Sequence, residues 1–573
     1  MAICRFFKEF VFTMVVFAIC SYVTFSLFYS LFDANEVIIS YGFHPFDICS
    51  QNPQLWKFIK VSYIFCFTFS VLVGCHVFYV RVLMNFSFFR GSNKEPKAKM
   101  QTSFSLVSKG SLGLLIGEDL FGHKVYIPES GLYQNFLVTG TIGSGKTSSA
   151  MYPFTRQLME FNANHSSQKI GMLILDVKGN YCYQVHNYAK DFGLEDDVIT
   201  ISLDSNVFYN PLHKPHLKPQ VLANRLKTIL LLFSENNSES YWLDKAEEVL
   251  TECIKLCRLY NDNYVTFSEL HMLVTDPNYY KEKIAVLRDL FVSSKLSHSQ
   301  IYELNSSLNF FQKEFENLDD RTKGILVSEI TRITNAFVSD FDVMSTFCSP
   351  VQKLSFSGFS DVIRDGKIVV LNMNISEYNA LSKIVAAYLK LDFQSEVMSN
   401  LSKSCARTTA FICDEYDKYV TKLDGEFFSM SREAKCINIV STQSYSSLKS
   451  TLKDEALLKV IIQNLINKIW FRTDDVFTIE DAQKQLGKED KERITKSISE
   501  SAKKTHFSYV TNTLSSEDSN ISETFSTSLQ NDYKFDTNFF TQGLETFFAL
   551  GFLSDGNRIF PPQKLQMLPY FKN

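Results

Sequence analysis

The stretch from Gly140 onward reads Gly140-Thr141-Ile142-Gly143-Ser144-Gly145-Lys146-Thr147-Ser148. These residue types suit one task, which is holding a chain of phosphates. The glycines let the backbone curl until its N–H groups face an anion. A helix start just beyond them adds partial positive charge. The spacing G-x-x-x-x-G-K-[ST] brings Lys146 to β- and γ-phosphates and offers the Thr147 hydroxyl to Mg²⁺. "NFLVT" before the loop reads as a strand, and "TSSAMYPF" after it can run as a helix.

Such a loop needs a carboxylate from elsewhere to hold the metal. "TTAFICDEYDKY" supplies an apolar strand ending in Asp414 and Glu415. Asp414 would hold Mg²⁺, directly or through water. Glu415 would polarise an attacking water, a role that fits ATP hydrolysis better than transfer to a substrate. An acidic pair at a strand end is ordinary when it stands alone; beside the loop it gains meaning. "INIVSTQSYSSL" is a further strand, ending in Gln443, whose amide can approach the γ-phosphate. Arg432 lies between Glu415 and Gln443, and from the residues alone it reads as a solvated helix position.

Two segments place this chemistry at a membrane. Phe10 to Phe32 is uncharged, and Val61 to Val80 carries only His76. Both are long enough to cross a bilayer as helices. The first is too long for a secretory leader, and a second span follows soon after. Arg5 and Lys8 precede the first span, and Arg81, Arg90, Lys94, Lys97 and Lys99 follow the second. That bias puts both termini in the cytoplasm, as a multi-pass protein of the inner or cytoplasmic membrane.

The chain has 573 residues and a net charge of -4, so no global basic footprint marks it for nucleic acid. Its 12 cysteines form no C-x-x-C pair and read as reduced, mostly buried thiols. Residues 1–90 form the anchor, and 91–100 a polar linker. Strand-like runs fill the rest of 91–216: "SLGLLIG", "KVYIP", "QNFLVTG" and "KIGMLILDVKG". Helical spacing of apolar residues dominates 217–345. Strands return in 346–573 with "KIVVLNM", "TAFICDE", "INIVSTQ" and "NKIWFRT". An all-α block is therefore inserted into one α/β domain. Residues 507–530, rich in Ser, Thr and Asn, read as an exposed loop.

In order and spacing these residues resemble the coupling proteins of type IV secretion and conjugation systems, a TraG/TraD-like family of membrane-anchored hexameric ATPases. "LDVKGN" (Leu175 to Asn180) is similar to the family's Asp-Pro-Lys-Gly-Glu segment, with Val177 for the proline and Asn180 for the acid. "YNPL" (Tyr209 to Leu212) is similar to its Phe-Asn-Pro-Leu. "FICDEYDKY", "MSREAKCINIVSTQSYSSL" and "IQNLINKIWFRTDDVFTIEDAQKQLG" follow in the family's order. The resemblance implies a RecA-like P-loop NTPase domain with an inserted all-α domain, after two transmembrane helices. It implies ATP and Mg²⁺ as cofactors and a homo-hexameric ring with a central channel. It also implies that Arg432 acts across a subunit boundary on a neighbour's nucleotide.

The expected function is delivery of DNA, single- or double-stranded and bound without regard to sequence, to a secretion channel. A relaxase or other substrate protein would travel with it, and channel proteins would receive it. One alternative is a docking receptor for protein substrates, which the chain's short stretch after "MLPYF" disfavours, since some family members recruit through a long tail. Another is a membrane-anchored chromosomal DNA pump, whose usual extra spans and winged domain are not read here.

Overall fold

The computed structural model describes Gln54, Phe58, Ser62 and residues 111–572, except 234–239, 293–296, 400, 402–406, 501–504, 509–512 and 517–520. The chain divides into two compact units, Met1–Thr102 and Ser103–Asn573. In the first, Gln54, Phe58 and Ser62 are helical. The span expected at 10–32 lies outside the described residues, as does all of that at 61–80 except Ser62. Among the described residues no helix is long and apolar enough to cross a membrane.

The second unit is built on one sheet. Its strands are β1 (Gly113–Asp119), β2 (Lys124–Pro128), β3 (Phe136–Thr139), β4 (Gly171–Leu175), β5 (Val198–Ile201), β6 (Ile368–Leu371), β7 (Thr409–Cys413), β8 (Cys436–Thr442) and β9 (Asn467–Trp470). A long ribbon follows, β10 (Lys488–Glu500), β11 (Thr505–Ser508), β12 (Thr513–Ser516) and β13 (Ile521–Tyr533). β14 (Phe548–Phe552) and β15 (Gln563–Gln566) return to the sheet, whose order is β2-β1-β15-β14-β9-β3-β8-β7-β4-β6-β5. From β9 to β5 neighbouring strands are parallel; from β2 to β9 they are antiparallel.

β3, β4, β6, β7, β8 and β9 are buried along their whole length, as parallel strands covered on both faces must be. Their side chains alternate between two cores. Leu137, Leu173, Phe411 and Val440 join one. Phe136, Val138, Met172, Ile174, Ile412 and Ile439 join the other. The strands expected from "SLGLLIG" to "NKIWFRT" are β1 to β4 and β6 to β9. β5, β14 and β15 went unread.

Two helices, α1 (Tyr152–Glu160) and α2 (Asn180–Phe192), follow β3 and β4. Between β5 and β6, neighbours in the sheet, lie α3 (Pro219–Phe233), α4 (Ser240–Tyr260), α5 (Phe267–Thr275), α6 (Pro277–Val292), α7 (His298–Asn309), α8 (Asp320–Val338) and α9 (Phe341–Phe347). Side-chain caps start several of them: Thr266 on Glu269 N, Asp319 on Thr322 N, and a reciprocal Ser297–Gln300 box. Phe267 of α5 stacks on Phe337 of α8 at 3.9 Å.

One helix ties these helices to the sheet. α10 (Ile375–Ser399) follows β6, and α11 (Asp424–Met430) follows β7. Asp392 of α10 meets Lys214 at 2.7 Å and Arg225 of α3 at 3.0 Å, and accepts from Tyr209 Oη at 3.1 Å. Lys390, two residues earlier, meets Asp424 at 2.6 Å, with both side chains fully buried. Asp424 also accepts from Gln394 and Tyr416. Residues two apart on a helix point to nearly opposite sides, so α10 holds one charge toward each neighbour.

Residues 507–530, expected as a loop, are largely strand. β13 pairs with β10 over thirteen residues, from Lys488↔Tyr533 to Glu500↔Ile521, and β12 pairs with β11. At roughly 3.4 Å per residue the ribbon runs about 44 Å. The described residues of β13 from Ser526 to Asp532 are exposed. A ribbon wet on both faces needs no apolar alternation, and that is why its sequence reads as loop.

Candidate active site

β3 ends at Thr139, and the phosphate-type loop begins with Gly140. A Cβ on Gly140 would lie 2.6 Å from Phe471 Cβ, and one on Gly145 would lie 2.6 Å from Phe547 Cδ1. Gly145 also takes a φ of +101°, a region that favours glycine. The loop is pinned from both sides: Gly140 N donates to Thr442 O at 3.3 Å, and Thr141 N to Arg472 O at 2.9 Å. Within it, Ser144 Oγ donates to Thr141 O at 2.7 Å. Ile142 stands at its outer rim, 78% exposed.

The helix beyond the loop opens irregularly. Thr147–Met151 form a π turn that runs into α1, where Tyr152 N donates to Thr147 O. Pro153 has no N–H for a carbonyl four residues back, so the ordinary helical ladder is broken there. Lys146 Nζ donates to Gly140 O at 2.6 Å. Burial pulls the Lys146 amine below its ordinary range, with Asp414 and Glu415 opposing that fall.

The predicted carboxylates meet the loop directly. Thr147 Oγ1 donates to Asp414 Oδ2 at 2.7 Å, and Ser441 Oγ donates to Asp414 Oδ1. Glu415 turns away from β7 with a φ of 52°, a left-handed conformation costly for a residue with a Cβ. Gln443 Nε2 donates to Glu415 Oε2 at 2.9 Å, and Lys178 Nζ to Oε1 at 3.2 Å. Burial pushes the Glu415 carboxyl up, but the Gln443 hydrogen bond and the Lys178 charge outweigh it. The net result lies below the ordinary carboxylate value.

These groups border one cavity of about 380 Å³, lined from the loop by Thr141, Ile142, Gly143, Gly145, Lys146, Thr147 and Ser148. Asp176, Lys178 and Asn180, whose role the sequence left open, line it too. Asp176 Oδ2 accepts from Tyr181 N at 3.2 Å; burial, with Asp414 nearby, holds its carboxyl above the ordinary range. Four further lining residues, Tyr152, Thr546, Phe547 and Tyr570, come with no motif at all. Of the predicted residues, Arg432 alone stands apart. It is exposed in the turn before β8, while Gln443 follows the end of β8. Seven residues of strand separate them by about 20 Å. Among the described residues its guanidinium forms no ion pair.

A phosphate loop at the carboxyl ends of parallel strands, facing a strand-end acidic pair, is the arrangement of α/β proteins that bind nucleotides. Within that class, residues 408–526 match a family model described as the TraM recognition site of TraD and TraG. Among solved structures the unbound conjugative coupling protein TrwB lacking its first 70 residues matches with a TM-score of 0.52 at 13% identity, over 78% of this chain and 87% of that one. TrwB with a non-hydrolysable ATP analogue matches with a TM-score of 0.52 at 14% identity, over 81% and 91%. TrwB with ADP and Mg²⁺ also gives 0.52, at 13% identity, over 80% and 94%. No curated protein matches the sequence. The family model covers residues 408–526 of the 573, and the TrwB structures share the fold of this chain.

Proposed function

We propose that the protein is a membrane-anchored, ATP-hydrolysing coupling protein that moves DNA, with its bound relaxase or other substrate protein, toward a type IV secretion channel. One observation carries this reading: Thr147 and Asp414 meet at 2.7 Å while Glu415 is held beside them by Gln443 and Lys178. A hydroxyl and a carboxylate are the hard oxygen donors Mg²⁺ prefers, and the ion when bound neutralises charge on the β- and γ-phosphates. The loop N–H groups and Lys146 bind the phosphate chain. Glu415, kept ionised by its two partners, accepts a proton from the attacking water, and Gln443 fixes the orientation of that carboxylate. TrwB has been solved with an ATP analogue and with ADP and Mg²⁺, which favours the same ligands here.

Arg432 is too far from its own loop to touch the same nucleotide, and in a homo-hexameric ring it would serve a neighbour's. The spans at 10–32 and 61–80 would anchor the ring with both termini cytoplasmic. An export-dependent reporter should then work near Asn52 and fail at the C-terminus; the reverse would sink that orientation.

The test is ATP turnover by the full chain with and without DNA. Turnover should rise with DNA, and the rise should shrink with salt as phosphate contacts release counterions. A second reading, a docking receptor for protein substrates, draws on the description of the matching family as a recognition site. ATP turnover that ignores DNA at every salt concentration would favour it.

A further inference from the structure

One inward position of the sheet carries an ammonium. Side chains alternate along β9, so Lys468 shares its face with Trp470, which joins Ile479, Ala482 and Leu550 in a small third core. Directly across the sheet from Lys468 stands Phe552 of β14. Lys468 is 2% exposed, yet among the described residues it makes no hydrogen bond and no ion pair. A buried lysine without a partner is rare, because taking an ammonium out of water is costly. Burial pulls this amine down to about 8, with Asp481 opposing the fall. Most of it therefore stays protonated at neutral pH, a cation with no anion in contact.

Lys468 lines a cavity of about 520 Å³ that shares no lining residue with the phosphate cavity. Ile462 of α12 (Glu455–Asn464), Phe477 of α13 (Val476–Leu486), Ile466, Phe552 and Ile559 give it apolar walls. Its other ionisable residues are Lys459, Asp481 and Lys484. Lys459 and Lys484 have partners on their own helices, Glu455 at 2.9 Å and Glu480 at 3.6 Å. Asp481 is half-buried, and burial holds its carboxyl above the ordinary range against the pull of the three lysines. Lys468 is thus the one cation here left to meet something from outside. We propose that this cavity binds a small carboxylic acid with an apolar body, whose carboxylate pairs with Lys468. The volume falls within the roughly 300–1,000 Å³ that holds one small molecule. A monoanion suits a single ammonium, whereas a phosphate dianion would carry a second, uncompensated charge into apolar surroundings. The proposal stands apart from the nucleotide reading of the phosphate loop.

The test titrates 4-phenylbutanoate, and the uncharged 4-phenylbutan-1-ol of the same shape, into the full chain in lipid nanodiscs, by calorimetry with empty nanodiscs as the blank. Wild type should bind the acid about 10- to 150-fold more tightly than the alcohol, the worth of one hydrogen bond to a charged group. Lys468→Met replaces the ammonium with an apolar side chain that suits the buried position. It should bring the acid down to the level of the alcohol and leave the alcohol unchanged. Asp481→Asn, on the half-buried face of α13, removes the one carboxylate at the cavity and should tighten the acid. Equal binding of acid and alcohol by wild type would overturn the proposal, as would acid binding that survives Lys468→Met. Acid binding that Asp481→Asn leaves unchanged or weakens would overturn it too, whether or not Lys468→Met folds. Binding of neither probe at millimolar concentration would also overturn it, and would leave the cavity to water or to a larger partner.

Discussion

Replacing Glu415 with glutamine separates binding from chemistry at this site. The glutamate carboxylate accepts two hydrogen bonds, from Gln443 at 2.9 Å and Lys178 at 3.2 Å. A glutamine offers one oxygen. If that oxygen keeps the Gln443 bond, its NH₂ faces the Lys178 ammonium, and two donors meet. Lys178 is more than half exposed, so it can turn to water, and the stability lost should stay within the ~0–1 kcal/mol of an exposed pair. The phosphate contacts of Lys146 and the Thr147–Asp414 pair do not involve this carboxylate, so nucleotide affinity should hold. Turnover should fall by about 10²–10⁴-fold, the usual worth of a positioned base. That equals about 2.7–5.4 kcal/mol of barrier. Fluorescent-nucleotide binding and phosphate release, measured on the same preparation, read the two effects apart. Turnover within a few-fold of wild type would refute the assignment of Glu415 as the water-activating group.

Two further perturbations probe its neighbours. Lys178→Met removes one of the influences that hold Glu415 below its ordinary value of 4.5. Turnover needs the carboxylate, so it is present above the lowered pKa and lost as pH falls through it; the variant's acid limb should move up, and an unmoved limb in a pH–rate profile would rule the ion pair out. Subunits bearing Lys146→Ala and subunits bearing Arg432→Ala, each inactive alone, should regain part of their turnover when mixed, provided labelled subunits show exchange. An arginine that reaches a neighbour's phosphates is worth about 10³–10⁵ in rate in related chemistry, and exchange without any rescue would assign Arg432 to its own subunit's structure.

The loop was legible because its chemistry is local: eight consecutive residues carry the turn, the cation and the hydroxyl. Asp414 and Glu415 were legible because a buried strand must end where its polar residues begin. What holds Glu415 was not. Lys178 lies 237 residues away, and only the packing of β4 beside β7 brings the two together. Phe547 and Tyr570 sit in short segments whose apolar residues show neither the period of two nor that of 3.6, so nothing in their spacing pointed to the cavity. Residues 507–530 of the ribbon were misread as loop for the opposite reason: with no face against a core, strands keep their hydrogen bonds but lose the alternation by which strands are recognised.

The paired charges of α10 limit how the molecule can move. Sliding this helix by one turn against either neighbour would strand Asp392 from Arg225 and Lys214, or Lys390 from Asp424, and a buried charge left without its partner costs about 3–5 kcal/mol. Asp424 also holds Tyr416, the residue directly after Glu415. α3, α10 and the turn that carries Glu415 are therefore joined by buried ion pairs and a hydrogen bond that oppose sliding of one against another. If the site hydrolyses ATP as proposed, two buried carboxylates tie the helices between β5 and β6 to the residue beside its water-activating group.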